Sequence, residues 1–275
     1  MLQVHGLNIL VDCGLAQGND VVAPMDRWPV APGDVDYLFL THAHLDHIGR
    51  VPELIRRGFR GEIITTHATK ALLNPMLEDA LGFHDLSRKE AAGLVEDVDS
   101  LSWGFEYGQP FDLGKQVTFM LGRAGHILGS CWIQFSISGE GVVVFSGDLG
   151  AADTPVLCDP DIPEGCDVLI LESTYGDRLH GDRRDRFTRF EKILEHALKD
   201  GGKVFIPAFA LGRTQKLIYE MDRWFAEGRT AQRSKVEGKE GERLGKSGFS
   251  GVKISRGQVG GKKERWNNLP LNFLN

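Results

Sequence analysis

The sequence predicts an α/β protein in which sheets pack together and helices cover them outside. Three observations carry this reading. Strand and helix signals alternate clearly up to about residue 225. Several strands follow one another directly in the middle of the chain, which suits packed sheets with helices before and after. The segment 184–199 is amphipathic, with Phe187, Phe190, Ile193, Leu194 and Leu198 on one side at helical spacing.

Strands are expected at 6–11, 37–41, 62–66, 116–121, 131–138, 141–145, 167–171 and 203–206, each an apolar or β-branched run. The first ends in Ile9-Leu10-Val11 and is read as the opening strand. The second contains Tyr37-Leu38-Phe39-Leu40, and the sixth contains Val142-Val143-Val144-Phe145. Helices are expected at 51–57, 69–81, 87–98, 184–199 and 213–225. The segment 226–265 differs. It is rich in Gly, Lys, Arg, Glu and Ser with few large apolar residues. Such a stretch buries too little surface to offset its ordering entropy, so disorder is expected. A basic arm touching RNA and a solvated linker are both consistent with it. A short apolar tail, 266–275, follows.

Composition is that of an ordinary globular chain: 275 residues, 41% hydrophobic, 25% charged, net charge −6. No apolar run reaches the roughly 18–20 residues that span a bilayer, and the start lacks the pattern of a secretory signal. A cytoplasmic protein with no membrane partner is the expectation. Cys13, Cys131, Cys158 and Cys166 form no CxxC pair and read as reduced thiols, Cys13 and Cys131 as small buried ones. Residues 225–275 carry 11 Lys+Arg against 5 Asp+Glu, so the preceding 224 residues hold a balance of −12. An acidic body argues against broad, nonspecific nucleic-acid binding but leaves room for a local basic groove.

The chemistry concentrates where strands end. Thr41-His42-Ala43-His44-Leu45-Asp46-His47 follows an apolar strand with three histidines and an aspartate. Imidazole nitrogen and carboxylate oxygen suit zinc and similar divalent ions. His42 and His44, two apart, can point the same way from an extended segment and share one ion. Asp46 and His47 follow at the turn and can face a second. A polar surface loop would also gather histidines, but remote segments repeat the pattern. His126 lies in Ala124-Gly125-His126-Ile127-Leu128-Gly129-Ser130 between two apolar runs, Asp148 closes a hydrophobic strand, and Asp12 follows Ile9-Leu10-Val11. Together they describe one rim lined with metal ligands.

In these residues the chain resembles the metallo-β-lactamase superfamily: Asp12, the 42–47 segment, His126 and Asp148 stand in the family's order. Leu171-Glu172-Ser173-Thr174-Tyr175-Gly176-Asp177-Arg178, Phe205-Ile206-Pro207-Ala208-Phe209-Ala210 and Gly212-Arg213-Thr214-Gln215 resemble its β-CASP branch of nucleases, in the style of bacterial and archaeal RNA-processing members. The resemblance covers about residues 6–225. It implies an αββα four-layer sandwich, with the core over 1–205 and the start of a β-CASP domain at 206–225. It implies zinc held by His42, His44 and His126, and a second zinc held by Asp46 and His47, with Asp148 bridging. Asp12 would support the ligand loop from behind, and Glu172 would orient a distant histidine. As a strand-end carboxylate, Glu172 would instead cap the Ser173-Thr174 turn. RNA is the implied substrate, and a homodimer is allowed. Asp46 and Asp148 would also position the attacking hydroxide.

The departures are specific. The branch supplies two late histidines, and after His196 this sequence has none. The reading is therefore of a chain lacking its C-terminal return segment, with a weakened second zinc and feeble activity. Of the other histidines, His5, His84 and His196 read as surface residues, His67 as structural, and His180 as a residue able to approach substrate. Arg213, opening a helix, suits either a phosphate or a salt bridge. Two other classes stay open: a superfamily hydrolase of thioesters, lactones or small phosphodiesters, and a noncatalytic scaffold subunit.

Overall fold

The computed structural model of the chain describes residues 1–17, 22–82, 86–179, 185–200 and 205–226, with the side chains of 198–200 set aside. His84, His180, residues 203–204 of one expected strand and the expected disordered segment and apolar tail after 226 lie outside the described residues. The chain divides into two compact units, Met1–Thr174 and Tyr175–Asn275.

The first unit opens on a hairpin. Strands β1 (Leu2–Val4) and β2 (Leu7–Val11) pair antiparallel around His5 and Gly6, both at positive φ as a two-residue hairpin turn of type I′ requires. Strands β3 (Tyr37–Phe39), β4 (Glu62–Thr66) and β5 (Ser102–Phe105) then add in parallel, giving the sheet order β1-β2-β3-β4-β5. The crossovers between parallel strands carry α1 (Leu45–Ile48), α2 (Val51–Arg56), α3 (His67–Leu81) and α4 (Arg88–Leu101). Helices α3 and α4 lie against β4 and β5. Helix α3 is capped by the Thr66 side chain and buries Leu73, Leu77 and Leu81, spaced four apart on one face. Helix α4 starts on a capping box, Ser87 with Glu90.

The second sheet runs β10-β9-β8-β7-β6. Strands β6 (Pro110–Asp112), β7 (Val117–Arg123), β8 (Cys131–Ile137) and β9 (Gly141–Phe145) are antiparallel neighbours, and β10 (Val168–Ile170) joins β9 in parallel. The two sheets face each other across one core. Val4, Leu7, Ile9, Phe39 and Ile64 of the first meet Val117, Phe119, Leu121, Cys131, Ile133, Phe135 and Ile137 of the second. Phe39 stands edge-on to Phe119 at 5.0 Å and to Phe135 at 4.8 Å, an arrangement favoured by the ring quadrupoles. Layered sheets with helices outside match the expected α/β class.

Three expected boundaries need correction. A further strand, β1, precedes the one read as the opening strand. Strands β5 and β6 form where the sequence shows only short mixed runs. Phe205 and Ile206, the described half of the expected strand 203–206, carry no strand.

In the second unit, α5 (Arg186–Asp200) and α6 (Arg213–Ala226) pack through Leu194, Met221 and Trp224, flanked by Phe187, Phe190, Ile218 and Phe225. Arg186 reaches Glu220 at 3.3 Å across the helix pair. His196 is exposed on α5.

Candidate metal centre

Strands β2, β3, β7, β9 and β10 all finish on the same edge of the two sheets, so the residues that follow them share a rim. The parallel pairs β2–β3 and β9–β10, and the two antiparallel steps from β7 to β9, fix the direction within each sheet, and the bond from Cys131 N to Thr41 O at 2.8 Å brings the two edges together. Asp12, the 41–47 loop, the 124–130 loop, Asp148 and Glu172 occupy that rim.

The geometry brings four of the expected ligands to one point. One ligand atom each from His42, His44, His126 and Asp148 lies within 4.8 Å of every other, and this is the one such group among the described residues. His44 Nδ1 stands 3.1 Å from His42 Nε2 and 3.2 Å from His126 Nε2. Asp148 Oδ2 lies 3.9 Å from His42 Nε2 and 3.5 Å from His126 Nε2. Two nitrogens on a tetrahedral zinc at about 2.0–2.1 Å stand roughly 3.3–3.4 Å apart, so the donor set fits such an ion. Burial, followed by the neighbouring His47, His44 and His126, holds the His42 pKa well below the ordinary imidazole value. A neutral imidazole is the form that binds metal.

Asp148 also faces the other way. Its Oδ1 lies 3.3 Å from His47 Nε2, and His47 Nε2 lies 3.7 Å from Asp46 Oδ2. A second, looser set of Asp46, His47 and Asp148 therefore adjoins the first and shares its carboxylate. Burial works against the Asp148 anion, but the hydrogen bond to His47 and the charges of His47, His126 and His44 outweigh it and hold the pKa down.

Asp12 sits behind the loop in a left-handed conformation, φ 57, uncommon for any residue but glycine. Its carboxylate accepts from Thr41 N and Thr41 Oγ1, both at 2.8 Å, and from His47 Nδ1 at 2.7 Å. Asp12 holds a proton on Nδ1, so that Nε2, facing Asp148 and Asp46, is the nitrogen left to a metal once it gives up its own proton, the arrangement that orients ligating histidines. Burial disfavours the His47 cation, yet the bonds and charges of Asp12 and Asp148 push its pKa up to about 10. Gly14 is required two residues on: a Cβ there would fall 1.3 Å from Asp46 O. The 12–15 segment zips along the ligand loop through Cys13 N to His47 O at 2.7 Å and Leu15 N to Leu45 O at 3.0 Å.

Glu172 accepts from Leu149 N at 2.6 Å, so its carboxylate fastens the segment just after Asp148 to the end of β10. That contact differs from both roles expected for it, the distant histidine and the Ser173-Thr174 turn. Thr41 and Ser130 escaped the sequence reading. The Thr41 hydroxyl lies between Asp12 Oδ2 and His42 Nδ1, 3.0 Å from the latter. Ser130 Oγ accepts from His126 N at 3.0 Å and Ile127 N at 3.2 Å, closing the loop on itself. Adjacency to His42, and the Gly129-Ser130 turn, were the signals available for them. His67 lies 3.6 Å from Glu106 on the surface, and Arg213 lies over the Phe209 ring at 6.0 Å. Cys13 and Cys131 are buried, as expected.

A histidine–aspartate cluster on the strand-end rim of two facing sheets is a candidate site for a divalent metal ion. Residues 1–207 match the metallo-β-lactamase superfamily domain, and the chain belongs to that superfamily. Ribonuclease TTHA0252 of Thermus thermophilus is 40% identical over 220 residues, covering 80% of this chain and 50% of that protein. Cleavage and polyadenylation specificity factor 73 of Drosophila melanogaster is 33% identical over 236 residues, 82% of this chain and 34% of that one. Probable RNase MJ4 of Methanocaldococcus jannaschii is 31% identical over 218 residues, 76% and 50% respectively. These relatives bear out the resemblance to the β-CASP branch. The chain spans a third to a half of their length. No helix among the described residues is long and apolar enough to cross a membrane.

Proposed function

We propose that this chain carries the two-zinc centre of a ribonuclease that hydrolyses RNA phosphodiester bonds. One observation supports it above the others: Asp148 lies between a three-histidine set and the Asp46–His47 pair, with one oxygen toward each. His42, His44, His126 and Asp148 would hold one zinc, and Asp46, His47 and Asp148 the other. Zinc there would polarise a phosphoryl oxygen and lower the pKa of water from about 15.7 to roughly 7. The protein's own part is placement. Asp12 keeps the His47 proton on Nδ1, away from the ligand atom. Asp46 and Asp148 present carboxylate oxygens that orient the attacking water and accept its hydrogen bonds. Glu172 holds the backbone after Asp148 in register through Leu149 N.

RNA is favoured as substrate by the names of the relatives, two of them ribonucleases. The same reading puts the protein in the cytoplasm and allows a homodimer, which light scattering of the purified chain decides. The function is tested with end-labelled single-stranded RNA. Cleavage should stop with a chelator, return with added zinc, and be lost in His42→Ala. Cleavage that survives the chelator contradicts the proposal. So does a zinc-loaded chain that hydrolyses small esters and leaves RNA intact.

A further inference from the structure

The His126 loop is anchored at a point remote in sequence from every other ligand segment. The Gly129 carbonyl accepts two hydroxyl hydrogen bonds, from Thr66 Oγ1 at 2.7 Å and Thr69 Oγ1 at 2.8 Å. Both threonines are fully enclosed, at 1% and 0% exposure. They come from the junction where β4 becomes α3. Thr66 is the cap of α3 and accepts from Thr69 N at 3.1 Å. The contact is tight as well as polar: Gly129 has φ +84, and a Cβ there would lie 2.5 Å from Thr69 N.

From Gly129 the constraint passes to the ligand through short bonds. Ser130 N donates to Ile127 O at 3.0 Å, and Ser130 Oγ accepts from the His126 and Ile127 amides. Ala124 N donates to Ser130 O at 3.1 Å, closing the base of the loop. Gly150 N then donates to Ala124 O at 2.7 Å, tying that base to the segment after Asp148. Neither threonine is itself a candidate ligand; the Thr66 hydroxyl also caps α3, whereas the Thr69 hydroxyl meets Gly129 O.

We infer that Thr66 and Thr69 are positioning residues for metal binding: their paired hydroxyls on Gly129 O fix where His126 presents Nε2. This rests on His126 being a ligand. A buried carbonyl that loses one of its two donors is held less firmly, and any shift of Gly129 carries His126 with it through the bonds of the loop. Groups that hold a ligand in place typically change metal affinity about 10–100-fold when removed.

Thr69→Val tests this, since it keeps the side-chain shape and leaves the Thr66 cap in place. The full chain is titrated with zinc against a chromophoric chelator, and the His126 ring is followed by NMR in metal-free protein. Thr69→Val should weaken the first zinc about tenfold and shift the His126 signals. Thr69→Ser, which restores the hydroxyl, should recover both. Zinc affinity and His126 signals equal to wild type in Thr69→Val overturn the inference, as does a loss that Thr69→Ser fails to reverse. His126→Ala serves as the separate check. If it binds zinc as tightly as wild type, the ligand reading itself falls, whatever Thr69→Val does.

Discussion

Asp12→Asn separates the two halves of the centre. The carboxylate accepts three hydrogen bonds, two from Thr41 and one from His47 Nδ1. An amide has the same shape, and Asn tolerates the positive φ of this position, so backbone strain is not the variable. Its oxygen can still accept from Thr41 N, and the Thr41 hydroxyl can turn to accept from its NH2. The amide NH2 then also faces His47 Nδ1, which must become an acceptor, and the His47 proton moves to Nε2. That nitrogen is the one 3.3 Å from Asp148 Oδ1. Binding at the Asp46–His47–Asp148 set should weaken about 10–100-fold, or roughly 1.4–2.7 kcal/mol. Affinity at the three-histidine set should fall less, because Asp12 reaches it only through the Thr41 hydroxyl beside His42 Nδ1. The metal-free chain should lose about 1.5–3 kcal/mol for bonds to a charged acceptor. Zinc titration against a competing chelator resolves the two events, and urea unfolding gives the stability. Equal affinity for both ions in Asp12→Asn, or selective loss of the tighter one, would refute the reasoning.

Other outcomes follow from the same packing. Gly14→Ala places a methyl 1.3 Å from Asp46 O, so the ligand loop must shift; weaker binding of the second ion and a lower urea midpoint are expected, and wild-type values for both would contradict it. Phe135→Ala removes a fully buried ring wedged against Phe39 and Phe145 between the sheets. It should cost about 3–5 kcal/mol in urea unfolding, and a loss below about 1 kcal/mol would mean that the sheets do not share this core. Burial pushes the Cys13 thiol up to about 12 and the Cys131 thiol higher still, whereas Cys158 and Cys166 are exposed. Since the thiolate is the reactive form, a disulfide reagent should modify two thiols quickly in native protein and four in urea; four fast thiols in native protein would contradict the burial.

The grouping of the candidate ligands was legible in the sequence because they sit in short runs at strand ends. His42, His44, Asp46 and His47 fall within six residues, and His126 and Asp148 each follow a largely apolar strand within a few residues. The central strands were legible for a similar reason: β7, β8 and β9 are five to seven residues long and rich in β-branched and aromatic residues. The strands missed, β1, β5 and β6, are all sheet edges. They are three or four residues long, and their sequences, LQV, SWGF and PFD, carry no sustained alternation. Pairing with a neighbour makes them strands, and that information lies in the neighbour. The supporting hydroxyls of Thr41, Thr66, Thr69 and Ser130 were illegible for a related reason. A hydroxyl matters through the carbonyl, carboxylate or amide it meets, and Gly129 lies 63 residues from Thr66. Glu172 stood out by its resemblance, but its partner, the Leu149 amide, is set by the parallel pairing of β9 and β10.

Zinc content per purified chain tests the central claim most directly. Elemental analysis of the folded chain, with Asp148→Ala alongside, should give two ions for the wild type and fewer for the variant that loses the shared carboxylate. One ion in the wild type would leave the three-histidine set alone and contradict the paired centre. None, in folded protein, would contradict the metal site altogether.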